Sequence, residues 1–384
     1  MAADKVRLGV IGVGGMGSGH CQGSQSVEEV KLSAVADVDA ARAKEVGEKY
    51  GVPYFTDHKE LLKKKLVDAV IVATPHYYHP IIAIDAFRAG LHVLSEKPIA
   101  VQVSQAEKMI KAAEKAKKVF GVMFQRRTEP AVKVARQIVE SGELGEIRRT
   151  LLVSPEFRSQ AYYDSGGWRA TWGGEGGGPL MNQSPHIMDL FVLLGGMPSK
   201  VRAWTKTLMH NIEVEDQAEA VLEYPNGAVG YFYVSTCEPG PGQIIQIWGE
   251  KGKLQFIDGK LSFCRYKPSV SEFSRTNTAM WGGPAREDVA LELPQCETGH
   301  GVVLKNFARA ILYGEALVSP GAFGIKSLEL TNAIMLSSHK GTAVDLPISR
   351  RAFDQMLNKL RATSKFDASR ANVSKRETDP RLKA

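Results

Sequence analysis

The apolar run Val6–Ile11 leads straight into Gly12-Val13-Gly14-Gly15-Met16-Gly17, and no other feature restricts the fold of this chain as strongly. In the spacing G-x-G-x-x-G, the glycines permit a tight turn, close approach of backbone to a pyrophosphate, and close packing of the next helix on the strand. An anion there sits on a helix N-terminus, where free N–H groups and the helix dipole favour it. A second strand-like segment, Lys31–Asp37, follows at the right distance and ends on a carboxylate. Asp37 is placed to accept both ribose hydroxyls, which favours NAD over NADP; its other reading is a helix N-cap. Arg42 reads as too far along the next helix to favour a 2′-phosphate. Gly12, Gly14, Gly15, Met16, Gly17 and Asp37 are therefore the first cofactor-binding candidates.

Alternation continues through the first third of the chain. Helical segments are expected over residues 57–65, 78–90 and 104–117, and buried strands over 68–73, 91–94 and 119–124. Continuous apolar strands between amphipathic helices predict an α/β, doubly wound parallel sheet, a Rossmann domain over residues 1–127. Ligands of such sheets lie off the carboxyl ends of the strands. Thr74-Pro75-His76 and Glu96-Lys97-Pro98 fall at such ends, so Thr74, Pro75, His79, Glu96 and Lys97 are expected to border the cofactor.

From about Thr128 the texture changes. After a helix at 130–141, strand-like segments at 146–153, 201–207, 214–224, 227–236, 243–249, 253–257 and 260–265 are separated by turn signals such as Pro225-Asn226-Gly227 and Asp258-Gly259. Hairpins and a large, mostly antiparallel sheet follow from this, in an α+β domain over 128–348. Residues 266–299 have weak periodicity and read as a lid, a substrate loop or an oligomer contact. Helices are expected at 300–313 and 325–340, and 349–384 reads as a C-terminal helix and a polar tail, disordered or lying on another subunit.

Proton chemistry concentrates at Lys97, at a strand mouth, and at His186, which closes Gly176-Gly177-Gly178-Pro179-Leu180-Met181-Asn182-Gln183-Ser184-Pro185-His186. Hydride removal from a secondary alcohol requires the O–H proton to leave at nearly the same time, and a base with a pKa near 6.5, the ordinary value of histidine, does this best. His186 is assigned as the base and Lys97 as the group that polarises the hydroxyl; the reverse assignment stays open. Trp168 and Arg169, in a glycine-rich loop, are candidates for contact near nicotinamide or sugar. Arg126 and His300 are substrate candidates at the domain junction and the start of a helix. Asp189 reads as a packing or salt-bridge residue. His76 and His79 lack a third ligand, so no metal is expected.

Composition excludes other classes. A 43% hydrophobic and 24% charged chain is ordinary for a globular protein, and no apolar run reaches membrane-spanning length. The first strand starts too early for a signal peptide, and Cys21, Cys237, Cys264 and Cys296 have no metal or redox spacing, so a reducing cytoplasm is the expected location. The net charge of +7 comes from dispersed basic residues, which argues against nucleic acid as a partner.

Taken in order, the G-x-G-x-x-G turn, Glu96-Lys97-Pro98, Trp168-Arg169 and the triple glycine leading to His186 resemble the Gfo/Idh/MocA family of sugar and polyol oxidoreductases, from about Val6 to Pro347. The resemblance implies that Lys97 orients and acidifies a substrate hydroxyl while His186 takes its proton, and that subunits form a homodimer or homotetramer through the second sheet. Where the family commonly has aspartate four residues before this histidine, the chain has Asn182, expected on the same helical face as His186 and available to hold a sugar hydroxyl. The Asn-Gln-x-Pro-His segment and the run from Tyr162-Tyr163 to Arg169 are similar to the members acting on sugars, anhydrosugars and glycosides, which adds Tyr163 to the substrate candidates. The expected reaction is oxidation of a ring hydroxyl, at C3. The alternatives are a glycosidase or lyase that uses NAD transiently, and an inositol dehydrogenase; a non-enzymatic sensor has no need of the two proton-handling groups.

Overall fold

The computed structural model describes residues 5–366. Six strands, β1 (Val6–Ile11), β2 (Val30–Ala36), β3 (Tyr54–Phe55), β4 (Ala69–Val72), β5 (His92–Ser95) and β6 (Phe120–Val122), form a parallel sheet in the order β3-β2-β1-β4-β5-β6. Every residue of β4 is buried, as a strand covered on both faces requires. The two-residue edge strand β3 is too short to show a periodicity, and the sequence pattern does not predict it.

The second sheet has nine strands: β7 (Ile147–Pro155), β8 (Lys200–Lys206), β9 (Gln217–Glu223), β10 (Val229–Ser235), β11 (Ile244–Gly249), β12 (Gly252–Ile257), β13 (Lys260–Lys267), β14 (Ala285–Val289) and β15 (Val344–Asp345). Their order is β14-β13-β12-β11-β7-β10-β9-β8-β15, antiparallel except where β7 meets β10. In the turn joining β12 to β13, Asp258 and Gly259 take φ of +47° and +80°, the left-handed pair that a two-residue hairpin demands. Burial alternates along the central strands. Ala220, Leu222 and Phe232 face helices Pro185–Gly195 and Gly321–Lys340, while Trp204, Val221, Val229 and Tyr231 are exposed on the opposite face.

Two segments depart from the sequence reading, while the expected C-terminal helix is present. Residues 266–299 contain a short helix, Val270–Thr276, and the edge strand β14, hidden in the sequence because Arg286, Glu287 and Asp288 put charge on both faces. Helix His300–Tyr313, expected in the second domain, packs Val303, Leu304, Phe307 and Ala308 into the cluster that also contains Leu8 and Val10 of β1. The C-terminal helix, Arg350–Ala362, lies on the Rossmann side, where Asp354 accepts from Gln102 at 2.7 Å and Arg350 pairs with Glu107 at 2.9 Å. The polar tail beyond 366 lies outside the described residues. Among the described residues, no helix is long and apolar enough to cross a membrane.

One buried ion pair joins the halves. Arg127, in the 3-10 turn Gln125–Thr128, donates through Nε (2.7 Å) and Nη2 (2.5 Å) to Asp189 on helix Pro185–Gly195, and both side chains are buried. A lone buried carboxylate is costly, so Arg127→Ala is expected to lower unfolding free energy by about 3–5 kcal/mol. Denaturant unfolding checks this; a loss below about 1 kcal/mol would show that water reaches Asp189.

Candidate active site

The glycine turn is built as the spacing implied. Gly12 has φ +85°, and a side chain there would meet the Ala73 carbonyl oxygen at 2.7 Å. A Cβ at Gly17 would overlap the Gly12 oxygen outright, so only glycine lets helix Gly15–Ser24 approach β1 this closely. Gly14 and Gly15, by contrast, face open space: a methyl group on either would have no atom within 4 Å. That opening sits at the first turn of a ten-residue helix, beside Thr74, whose buried Oγ1 has no hydrogen-bond partner. A cradle of backbone N–H groups with an unsatisfied hydroxyl beside it fits a dinucleotide.

Asp37 is buried at the end of β2. Its Oδ2 accepts from Val13 N (2.8 Å) and its Oδ1 from Asp39 N (2.9 Å). It is not the helix cap: Asp39 caps helix Ala40–Tyr50 by accepting from Arg42 N. Arg42 also corrects the sequence reading. From the first turn of that helix its long side chain reaches back, to 3.5 Å from Asp37 and 3.3 Å from Asp39.

At the mouth of β5, Lys97 donates from Nζ to the backbone oxygen of Asn182 at 3.0 Å. Burial pulls its ammonium below the usual lysine range, against the opposing charges of Glu96, Glu175 and Glu156. Glu96 is buried against His20, 2.7 Å away, and its Oε2 accepts the Lys97 N–H. Burial works to raise this carboxyl, but the His20 hydrogen bond and the charges of Lys97 and His300 outweigh it and bring it down to about 2. His300 begins its helix with its ring edge-on to His20, 5.6 Å between centroids. His186 sits one residue into helix Pro185–Gly195, with Nε2 3.4 Å from Gln125 Nε2 and Nδ1 buried without a partner. Burial and then the Lys97 charge hold its pKa well below 6.5, so the ring is a neutral acceptor at pH 7.

Asn182 is not on that helix. It occupies the preceding turn, so it shares no helical face with His186, and its Nδ2 donates to Glu175 Oε1. The loop before it carries Trp168, edge-on to His76 at 5.7 Å, and Arg169, which donates to the Tyr162 hydroxyl at 2.8 Å. Two candidates point elsewhere. Tyr163 is buried against the His210 ring with its hydroxyl 2.7 Å from Thr236 Oγ1, because packing with Ala170 and Val214 claims it; its neighbour Tyr162 is the one joined to Arg169 and Gln183. His79 is fully buried with its ring nitrogens 2.9 and 2.7 Å from the Pro98 and Thr74 carbonyl oxygens, so it braces the two strand-end loops. Arg126 lies at the rim, bonded to Glu129 and Gln243.

Sequence reasoning missed Glu175, Gln125, Tyr162 and His20. A lone carboxylate inside a glycine run was the available signal for Glu175. For His20 it was a ring one turn beyond Gly17, facing the strand ends. Among the described residues, His210, Asp216 and Cys237 come together with metal-ligand chemistry, but Asp216 already accepts three backbone N–H bonds and His210 spans Asp216 and the Arg158 carbonyl. The trio clips a loop.

A dinucleotide cradle beside a lysine and a neutral histidine defines an NAD-dependent oxidoreductase. The chain belongs to the Gfo/Idh/MocA family: the family's oxidoreductase NAD-binding Rossmann fold matches residues 6–124 and its C-terminal domain matches residues 132–255. It is similar to myo-inositol 2-dehydrogenase of Thermotoga maritima (27% identical, covering 89% of this chain and 98% of that protein) and to levoglucosan dehydrogenase of Pseudarthrobacter phenanthrenivorans (24%, 89% and 98%). Among solved structures it resembles the WlbA dehydrogenase of Bordetella pertussis in complex with NADH and UDP-GlcNAcA, with a TM-score of 0.76, 27% identity, and coverage of 90% of this chain and 100% of that one.

Asp37→Ala should weaken NAD binding and relax selectivity toward NADP, because the carboxylate that repels a 2′-phosphate is lost and Arg42 is freed to meet one. Fluorescence titration with both cofactors reads the ratio; an unchanged ratio would mean that Asp37 serves only the Val13 and Asp39 amides.

Proposed function

We propose that the protein oxidises a secondary ring hydroxyl of a neutral sugar, glycoside or polyol, with His186 as base and Lys97 stabilising the developing alkoxide. The observation that carries this reading is the pairing of a lysine ammonium with a histidine held neutral at one cleft mouth. When bound, NAD would be held by Gly12, Gly14, Gly15, Met16, Gly17 and Asp37, with Thr74 and Pro75 assigned beside it, and would supply the hydride acceptor. Trp168, Arg169 and Glu96 are assigned to the same opening. Lys97 keeps two N–H donors beyond the one given to Asn182, enough to fix a hydroxyl oxygen; the His186 ring, whose Nδ1 has no partner, then accepts its proton. Low local polarity strengthens the lysine's pull on the alkoxide. Arg126 and His300 are assigned to substrate contact, and Asn182, expected from the sequence to hold a sugar hydroxyl, is instead engaged by Glu175 and Lys97. The exposed face bearing Trp204, Val221, Val229 and Tyr231 is assigned to subunit association.

Myo-inositol, levoglucosan, free aldoses and aryl glycosides, each with its 3-deoxy analogue, should be assayed for NADH. One NADH per substrate consumed, lost with a 3-deoxy analogue, is expected; aglycone release without NADH would move the protein to the transient-redox class.

Lys97→Ala should reduce kcat by roughly a hundredfold or more while NADH affinity stays within about threefold. Collapse of cofactor affinity with turnover per bound cofactor preserved would make Lys97 a cofactor ligand.

The pH profile follows from the two shifts. Activity needs His186 neutral and Lys97 protonated, and both pKa values are lowered. The acidic limb of kcat/KM should therefore lie below about 6.5, and the basic limb below about 10.4. An acidic limb above neutrality would contradict His186 as the base.

A further inference from the structure

Glu175 is the most deeply placed charge in the loop and has no assignment in the chemistry above. It is 1% exposed. Oε2 accepts from Ala170 N at 2.6 Å and Oε1 accepts from Asn182 Nδ2, so two donors converge on its two oxygens. Two N–H donors meeting two oxygens suit a carboxylate; an amide would aim a hydrogen at one of them. Burying that charge is costly unless cations compensate it. The compensating groups are Lys97 from the mouth of β5 and Arg169 from the same loop. Asn182 then completes a chain: its amide donates to Glu175 and its backbone oxygen receives the Lys97 ammonium.

We propose that Glu175 is a positioning residue for the reaction: through Asn182 it fixes where the Lys97 ammonium stands, and its charge keeps that ammonium protonated. This rests on Lys97 being the group that polarises the substrate hydroxyl. Burial raises the Glu175 carboxyl, while Arg169, the Ala170 N–H, Asn182 and Lys97 oppose the rise. The other ionisable groups that face it are Tyr162 and Tyr163, both neutral at pH 7; His76, whose Nδ1 lies 3.1 Å from the Glu175 backbone oxygen; and Glu215, whose buried carboxyl is pushed up to about 7. Glu96 and Glu156 add negative charge beside Lys97 from other elements.

The test inverts the pair. Glu175→Gln removes the charge and should lower kcat at least tenfold and move the basic limb of kcat/KM down by roughly one pH unit, since an opposing charge favours the ammonium. Asn182→Asp in the Glu175→Gln background reverses donor and acceptor and restores one carboxylate; it should recover most of kcat and return the basic limb. Asn182→Ala, which cuts the link but keeps the charge, should lower kcat with a smaller shift of the limb. NADH titration and thermal unfolding establish that each variant is folded. The proposal is overturned if Glu175→Gln leaves kcat and the pH profile unchanged, if the double variant is no better than Glu175→Gln, or, should Glu175→Gln not fold, if Asn182→Ala turns over like the wild type. Titration of Lys97 by side-chain NMR in the NADH complex reads the same coupling without a substrate. A protein that oxidises no alcohol but shows the Lys97 shift in Glu175→Gln would sink the functional reading and keep only the Glu175–Lys97 coupling; one that oxidises an alcohol but shows no shift would keep the functional reading and overturn the coupling.

Discussion

The 3.0 Å hydrogen bond from Lys97 Nζ to the Asn182 backbone oxygen is the contact on which the site depends. It ties a residue at the carboxyl end of a parallel strand to a loop of the second domain. The Arg127–Asp189 pair, buried a short way behind, holds the same two halves in register, and its guanidinium also lies over the Phe323 ring at 4.2 Å. A cleft made by two domains can be assembled this tightly only if its charges are satisfied when water is excluded.

Desolvation then sets the chemistry. Burial lowers Lys97 and His186 alike from starting values several units apart, so the histidine is the first of the two to lose its proton and become an acceptor as pH rises. Carboxylates decide how far each moves. Glu96, fixed by His20 and by the Lys97 amide, and Glu175, fixed by Ala170 and Asn182, flank the ammonium from its two neighbouring elements. The same environment that makes an unpaired charge expensive makes a paired one effective on a developing alkoxide.

Much of the first domain was legible because its signals are local. A glycine turn after an apolar strand, and strands buried on both faces, leave an unmistakable pattern from Val6 to Val122. Lys97, Asp37 and the glycines were visible for the same reason. The hairpins at Pro225-Asn226-Gly227 and Asp258-Gly259 were visible through turn chemistry. What escaped depends on tertiary partners. Strand β14 carries charge on both faces and exists because β13 offers an edge. Tyr162 and Tyr163 are adjacent in sequence, and only packing against His210 decides which one turns inward. Asn182 has the spacing of a helical neighbour of His186, yet Pro185 starts the helix after it, and the amide turns to Glu175 instead. Arg42 reaches Asp37 by doubling back along its helix, which residue spacing does not reveal.

The central claim is that one substrate hydroxyl is shared by Lys97 and His186 while its carbon faces the hydride acceptor. A crystal structure with NADH and an oxidisable sugar measures this directly. The account predicts a single hydroxyl oxygen within about 2.6–3.2 Å of both Lys97 Nζ and a His186 ring nitrogen. A sugar whose hydroxyls reach neither group, or whose reacting oxygen is held by Arg169 with Lys97 still closed onto Asn182 alone, would contradict it.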